Sequence, residues 1–176
     1  MNQELQQRLL AALARPGLAW KTSLNHEIHE QASLQWLPIA NVTTANIELG
    51  IASDACWLRA TSHSVTRFSE GKPCVFLLPV LEVEIHELVR LFEYNLQKKG
   101  LSTEFVKTFP FEEVVSTGLE SHSEHWTALA LKWAEQLPPS SKLQASLSVL
   151  ASNGPTQKIR QAGQKLLAQQ QKPRAS

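Results

Sequence analysis

Only one of the sixteen acidic residues is an aspartate, Asp54. A serine–histidine–acid triad would have to recruit that residue, which falls in a predicted turn, or a glutamate. No Gly-x-Ser-x-Gly elbow accompanies it. The seven glycines are scattered, so neither a phosphate-cradling loop nor a dinucleotide fingerprint can be assembled. Two cysteines, Cys56 and Cys74, are too few for a disulfide framework and lack metal-ligand spacing. Both fall in apolar, strand-like contexts that quieten a thiol, so reduced structural cysteines are expected. The longest apolar run, Cys74 to Leu81, is interrupted by Pro79 and is far shorter than the about twenty residues of a membrane span. A basic stripe is also missing. Net charge is +1 with both signs mixed along the chain, which argues against a nucleic-acid partner because phosphate neutralisation needs clustered cations. Met1 to Arg8 carry no basic stretch leading into an apolar core, which predicts a cytoplasmic protein. No cofactor, metal or membrane association is expected from these absences.

What the chain does contain is patterned hydrophobicity. Its 176 residues, 43% of them hydrophobic, suit one domain or one domain with a small helical appendage. Leu5, Leu9, Ala12 and Leu13 share a face of a helix predicted over 2–14, capped by Asn2 and stopped at Arg15-Pro16-Gly17. From Leu18 to about Ser69 the period changes. Ile47, Leu49 and Ile51 alternate, as do Cys56, Leu58 and Ala60 after a turn at Ser53-Asp54, predicting an antiparallel strand pair. Trp20, Trp36 and Trp57 lie in this region and are expected to join the sheet to its covering helices. The run Cys74–Leu78 reads as a central strand. A helix follows over 81–99, with Leu81, Ile85, Leu88, Val89, Phe92 and Leu96 inward. Glutamates crowd its start, and Lys98 and Lys99 precede a Gly100 cap, both in keeping with the helix dipole. Residues 101–108 form a further possible strand.

The last third reads as three helices. Ser121 and Glu124 suggest a capping box for a helix with Trp126, Leu129, Ala130, Trp133, Ala134 and Leu137 on one stripe. Pro138-Pro139 ends it. A second helix starts at Ser140 or Ser141, buries Leu143, Leu147, Leu150 and Ala151, and closes at Asn153-Gly154. The third, from Pro155, turns Ile159, Ala162, Leu166 and Leu167 inward before a polar tail from Gln169. The fold class implied is α+β: a small, mostly antiparallel sheet covered by helices, with a helical C-terminal third. The expected organisation is a core over 1–118, a helical subdomain over 119–170 and a tail over 171–176. Trp126, Leu129, Ala130 and Trp133, with Gln157-Lys158-Ile159-Arg160 later, resemble HEAT-type helical hairpins over about a quarter of the chain.

Two constellations could carry function. In Asn25-His26-Glu27-Ile28-His29-Glu30, His26 and His29 share a helical face with Glu30, and His122-Ser123-Glu124-His125 repeats the spacing. Zinc proteases space their histidines four apart around a glutamate, and neither cluster does. A metal-dependent enzyme would need His26, His29, His122 and His125 to converge; otherwise these are solvated faces. The second constellation is Trp57-Leu58-Arg59. If Leu58 faces the core, alternation turns Trp57 and Arg59 outward together, and these residue types dominate interface hot spots; the other reading has Trp57 covered by the N-terminal helix or by the segment around Trp36. The sequence therefore favours a non-catalytic factor that associates stoichiometrically with another protein, such as an immunity protein, a chaperone or an adaptor, with Trp57 and Arg59 as its candidate contacts.

Overall fold

The computed structural model describes residues 3–24, 33–43, 46–61 and 65–171. The chain divides into two compact units, residues 1–72 with 86–110, and residues 73–85 with 111–176. The α+β class is as the periodicities imply, whereas the boundary is not at 118/119: the helical unit begins at Phe111 and also takes in residues 73–85.

The first unit is a curled five-stranded antiparallel meander in the order β1 (Lys21–Leu24), β2 (Ser33–Val42), β3 (Ile47–Ala52), β4 (Trp57–Ala60), β5 (Val65–Arg67). With it stand α1 (Gln3–Leu13), α2 (Ile85–Lys98, from His86 onward in this unit) and a 3-10 segment, Thr103–Thr108. Register puts Leu37 beside Ile51 and Ile51 beside Trp57, so one face carries Ile47, Leu49, Ile51 and Trp57. The opposite face carries Trp36, Ala52, Leu58, Ala60 and Val65, which form a buried cluster of their own. Small residues make room for it. At Gly50 a Cβ would lie 2.7 Å from the Leu37 carbonyl oxygen and closer still to the Trp36 ring. The Trp36 indole N–H donates to Ser23 Oγ at 3.0 Å, and Lys21 Nζ sits 5.2 Å from the ring centroid while pairing with Glu48 at 2.8 Å. Pro38 is tolerated inside β2 because β1 pairs only with Ser33 to Trp36, and a bulge between Pro38 and Ala40 absorbs the mismatch with β3.

The periodicity of α2 is borne out from Ile85 on: Leu88, Phe92 and Leu96 are completely buried. Its end is a Schellman motif. Gly100 adopts φ +70°, its N–H donates to Gln97 O, and Leu101 N–H donates to Leu96 O, both at 2.9 Å. Two expected strands are corrected. Residues 101–108 hold the Thr103–Thr108 3-10 segment, with Ser102 Oγ accepting from Glu104 N–H. The run after Cys74 is likewise a 3-10 helix, Val75–Glu82, not a central strand, and it belongs to the other unit.

That second unit contains α3 (Phe111–Leu119), α4 (Glu124–Ala134), α5 (Ser141–Asn153) and α6 (Gln157–Gln170). α4, α5 and α6 are the three helices expected of the last third, and among the described residues α3 precedes them as a helix that the sequence did not suggest. α3 packs on α4 and α5 on α6, while α3 also meets α5 and α4 meets α6. Corresponding members of two hairpins thus lie side by side, as in a helical-repeat array. The Val75–Glu82 segment packs against α3 and α4. Close approach requires Gly118, where a Cβ would come 2.7 Å from Ala130 Cβ and 2.9 Å from Leu81 Cδ1. Trp133 anchors the return of the chain by donating from its indole to Val83 O at 2.9 Å. Each hairpin helix after α3 starts at a hydroxyl cap: Ser123, Ser140 and Thr156 accept from Trp126, Leu143 and Ile159 N–H. Ser121 is not the cap; its hydroxyl donates to Gly118 O at 2.8 Å. On α6 the inward small residue is Gly163, and Ala162 faces out.

Candidate functional site

The Trp57–Arg59 patch comes apart on the sheet. Alternation does place the two side chains on one face, opposite Leu58, but that face is the one covered by helices. Trp57 is 2% exposed. Its ring centroid lies 4.9 Å from that of Phe92 on α2 and 5.0 Å from that of Phe109, and the two phenylalanines are 5.1 Å apart. The indole N–H donates to Thr108 Oγ1 at 2.9 Å, and the Thr108 hydroxyl donates to Phe105 O at 2.7 Å. The indole N–H and the Thr108 hydroxyl are therefore both satisfied inside, as burial of a tryptophan demands. Trp57 is removed from any contact surface. Arg59 lies beside Leu49 in the register and is half-buried.

Of the histidines, His26 and His29 lie outside the described residues. His122 and His125 are exposed at the start of α4, and His122 adopts φ +56°. His125 Nε2 approaches Glu82 Oε1 at 3.5 Å, with its ring edge-on to Trp126 at 4.6 Å. Among the described residues no three His, Cys, Asp or Glu side chains converge as a metal site.

Both cysteines are free thiols. Cys74 is buried, its N–H donates to Thr117 Oγ1 at 3.1 Å, and its Sγ lies 3.4 Å from the same oxygen. Burial pushes the Cys74 thiol above its ordinary range, with the Glu113 carboxylate adding to the effect and the Thr117 contact opposing it. Such a sulfur is a poor nucleophile. Cys56 is half-buried at the β3–β4 turn. There Asp54 Oδ1 accepts from Cys56 N–H at 3.2 Å and Asp54 Oδ2 pairs with Arg67, bracing Ala55 in a left-handed conformation at φ +65°. The single aspartate is thus a turn brace. Burial opposes the charge on Arg67, but contacts with Cys56 and Asp54 outweigh it and hold its pKa above the usual value.

A surface that the sequence reading passed over is the outer side of α2. Tyr94, the only tyrosine of the chain, is 62% exposed, although the opposite side of the same helix is fully buried. Arg90 lies one turn before it and Gln97 one turn after, both exposed. The signal was present in the stripe that placed Phe92 and Leu96 inward, because Tyr94 falls about 200° around the helix from Phe92. Among the described residues no helix is long and apolar enough to cross a membrane. No protein-family model, curated protein or solved structure matches the chain.

Proposed function

We propose that this protein acts without catalysis, in the cytoplasm, by stoichiometric association with a protein partner, as an immunity factor, chaperone or adaptor does. The observation that supports this reading is Tyr94, a large aromatic side chain held 62% exposed on a helix whose other face is locked into the core. Tyrosine and arginine are the residue types in which interface energy concentrates, and a rigid helix presents them at low entropic cost. Tyr94 and Arg90 supply such a pair. The stacked hairpins of the second unit are a scaffold type associated with binding surfaces.

The test is quantitative capture from the native host. Tagged wild-type chain should retain one dominant protein at a fixed ratio, and Tyr94→Ala or Arg90→Ala should weaken retention at least about tenfold, the loss of a moderate hot spot. Melting temperature should stay within a few degrees, since neither side chain is core. Retention unchanged in both variants, or no stoichiometric partner, would sink the reading.

A further inference from the structure

The two signs of charge, balanced over the whole chain, separate inside the helical unit. Residues 73–85 and 111–135 hold seven acidic residues and one basic residue, whereas residues 136–176 hold six basic residues and no acidic one. A solvated capping face ordinarily mixes both signs. The exposed surface of α6 does not: along one flank of it Lys158, Ala162, Lys165 and Gln169 follow one another at four-, three- and four-residue spacing, and all four are exposed. They lie away from the buried Ile159, Gly163 and Leu166.

The cations of this hairpin are unequally committed. Lys142 Nζ pairs with Glu113 Oε1 at 3.2 Å, and Arg160 Nη1 donates to Gly154 O at 2.7 Å, so both work within the fold. Among the described residues Lys158 and Lys165 have no ion-pair partner. We infer that the α6 face is a docking seam for an acidic helix of a partner protein, a second surface that does not depend on Tyr94.

Three features select that occupant. The four-, three- and four-residue spacing keeps these side chains in one row along the helix, so a second helix lying alongside could meet all of them. Ala162 stands between the lysines, and a small residue there lets a second helix approach. Charge density decides against nucleic acid. Two lysines two turns apart, about 10 Å along the axis, suit carboxylates spaced on a helix better than a duplex with one phosphate charge per about 1.7 Å.

The test uses the full chain and three labelled probes: an alanine-rich helical peptide with glutamates at heptad seam positions, the same peptide with lysines, and a single-stranded oligonucleotide. At low salt the glutamate peptide should bind saturably and the lysine peptide should not. Lys158→Glu with Lys165→Glu should weaken binding at least about tenfold with an unchanged melting curve, and Lys158→Gln with Lys165→Gln should do so less strongly. Lys72→Glu with Lys98→Glu, matched in net charge, should leave it unchanged. Tyr94→Ala should also leave it unchanged, so this seam and the α2 surface stand or fall separately. No binding of the glutamate peptide, equal weakening by the two charge-matched doubles, or tighter binding of the oligonucleotide would overturn the inference.

Discussion

The indole of Trp57 on β4 donates to the hydroxyl of Thr108, 51 residues later in the chain, at 2.9 Å. The bond ties the sheet to the Thr103–Thr108 segment and fixes the ring between Phe92 and Phe109. It makes Trp57 a keystone of the first unit.

Trp57→Ala should therefore lower stability by about 3–5 kcal/mol, the range for emptying a large aromatic site. Thr108→Val keeps the shape but leaves the indole N–H buried without an acceptor, and should cost about 1–3 kcal/mol. Urea denaturation followed by circular dichroism reads both. A Trp57→Ala midpoint close to wild type would contradict the aromatic packing described above.

Gly50 gives the second prediction. Its missing side chain is the space into which Trp36 fits, with backbone of Leu37 on the other side. Gly50→Ala must displace an indole that is itself held by Ser23, so it should destabilise by about 1–3 kcal/mol despite the better strand propensity of alanine. Trp36→Leu in the same background should recover part of that loss, which a thermal-melt comparison of the single and double variants would reveal.

Cys74 supplies a pH dependence. Burial raises the folded-state pKa of its thiol, so on alkalinisation the unfolded chain loses this proton first. Stability from this group is flat below the ordinary thiol pKa of about 8.5 and falls as pH climbs through and above it. Cys74→Ala should flatten that alkaline limb relative to wild type, as seen in denaturation midpoints taken at neutral and alkaline pH. In the native chain a thiol reagent should modify half-buried Cys56 first and reach Cys74 only on unfolding.

How far the sequence was legible depended on whether a segment's neighbours could be inferred from its own pattern. β3 and β4 were read from strict alternation, and α2 from a stripe that ends in an unmistakable glycine cap. The run Val75–Leu78 was misread because a continuous apolar stretch carries no period: it is equally at home in a buried strand or a buried helix. α3 was missed since Phe111, Val114, Val115 and Leu119 occupy a short segment that follows Pro110 with no hydroxyl cap. Trp57 shows a different limit. Its face was assigned correctly relative to Arg59, but β4 is buried on both sides, and which layer covers a strand is a property of distant residues such as Phe92 and Phe109. Tyr94 is the converse: periodicity places it outward, but a single exposed aromatic carries no pattern of its own that marks it as a contact residue.

The excursion of residues 73–85 into the helical unit has a consequence for biosynthesis. The chain visits that unit, returns to complete the first with residues 86–110, and leaves again at Phe111. As the polypeptide emerges from the ribosome, Leu77, Leu78, Val80 and Leu81 are made before the helices that will bury them. Until α3 and α4 arrive they form a greasy, aggregation-prone stretch, so a message truncated near residue 110 should yield an insoluble fragment even though all five strands and both helices of the first unit have been translated.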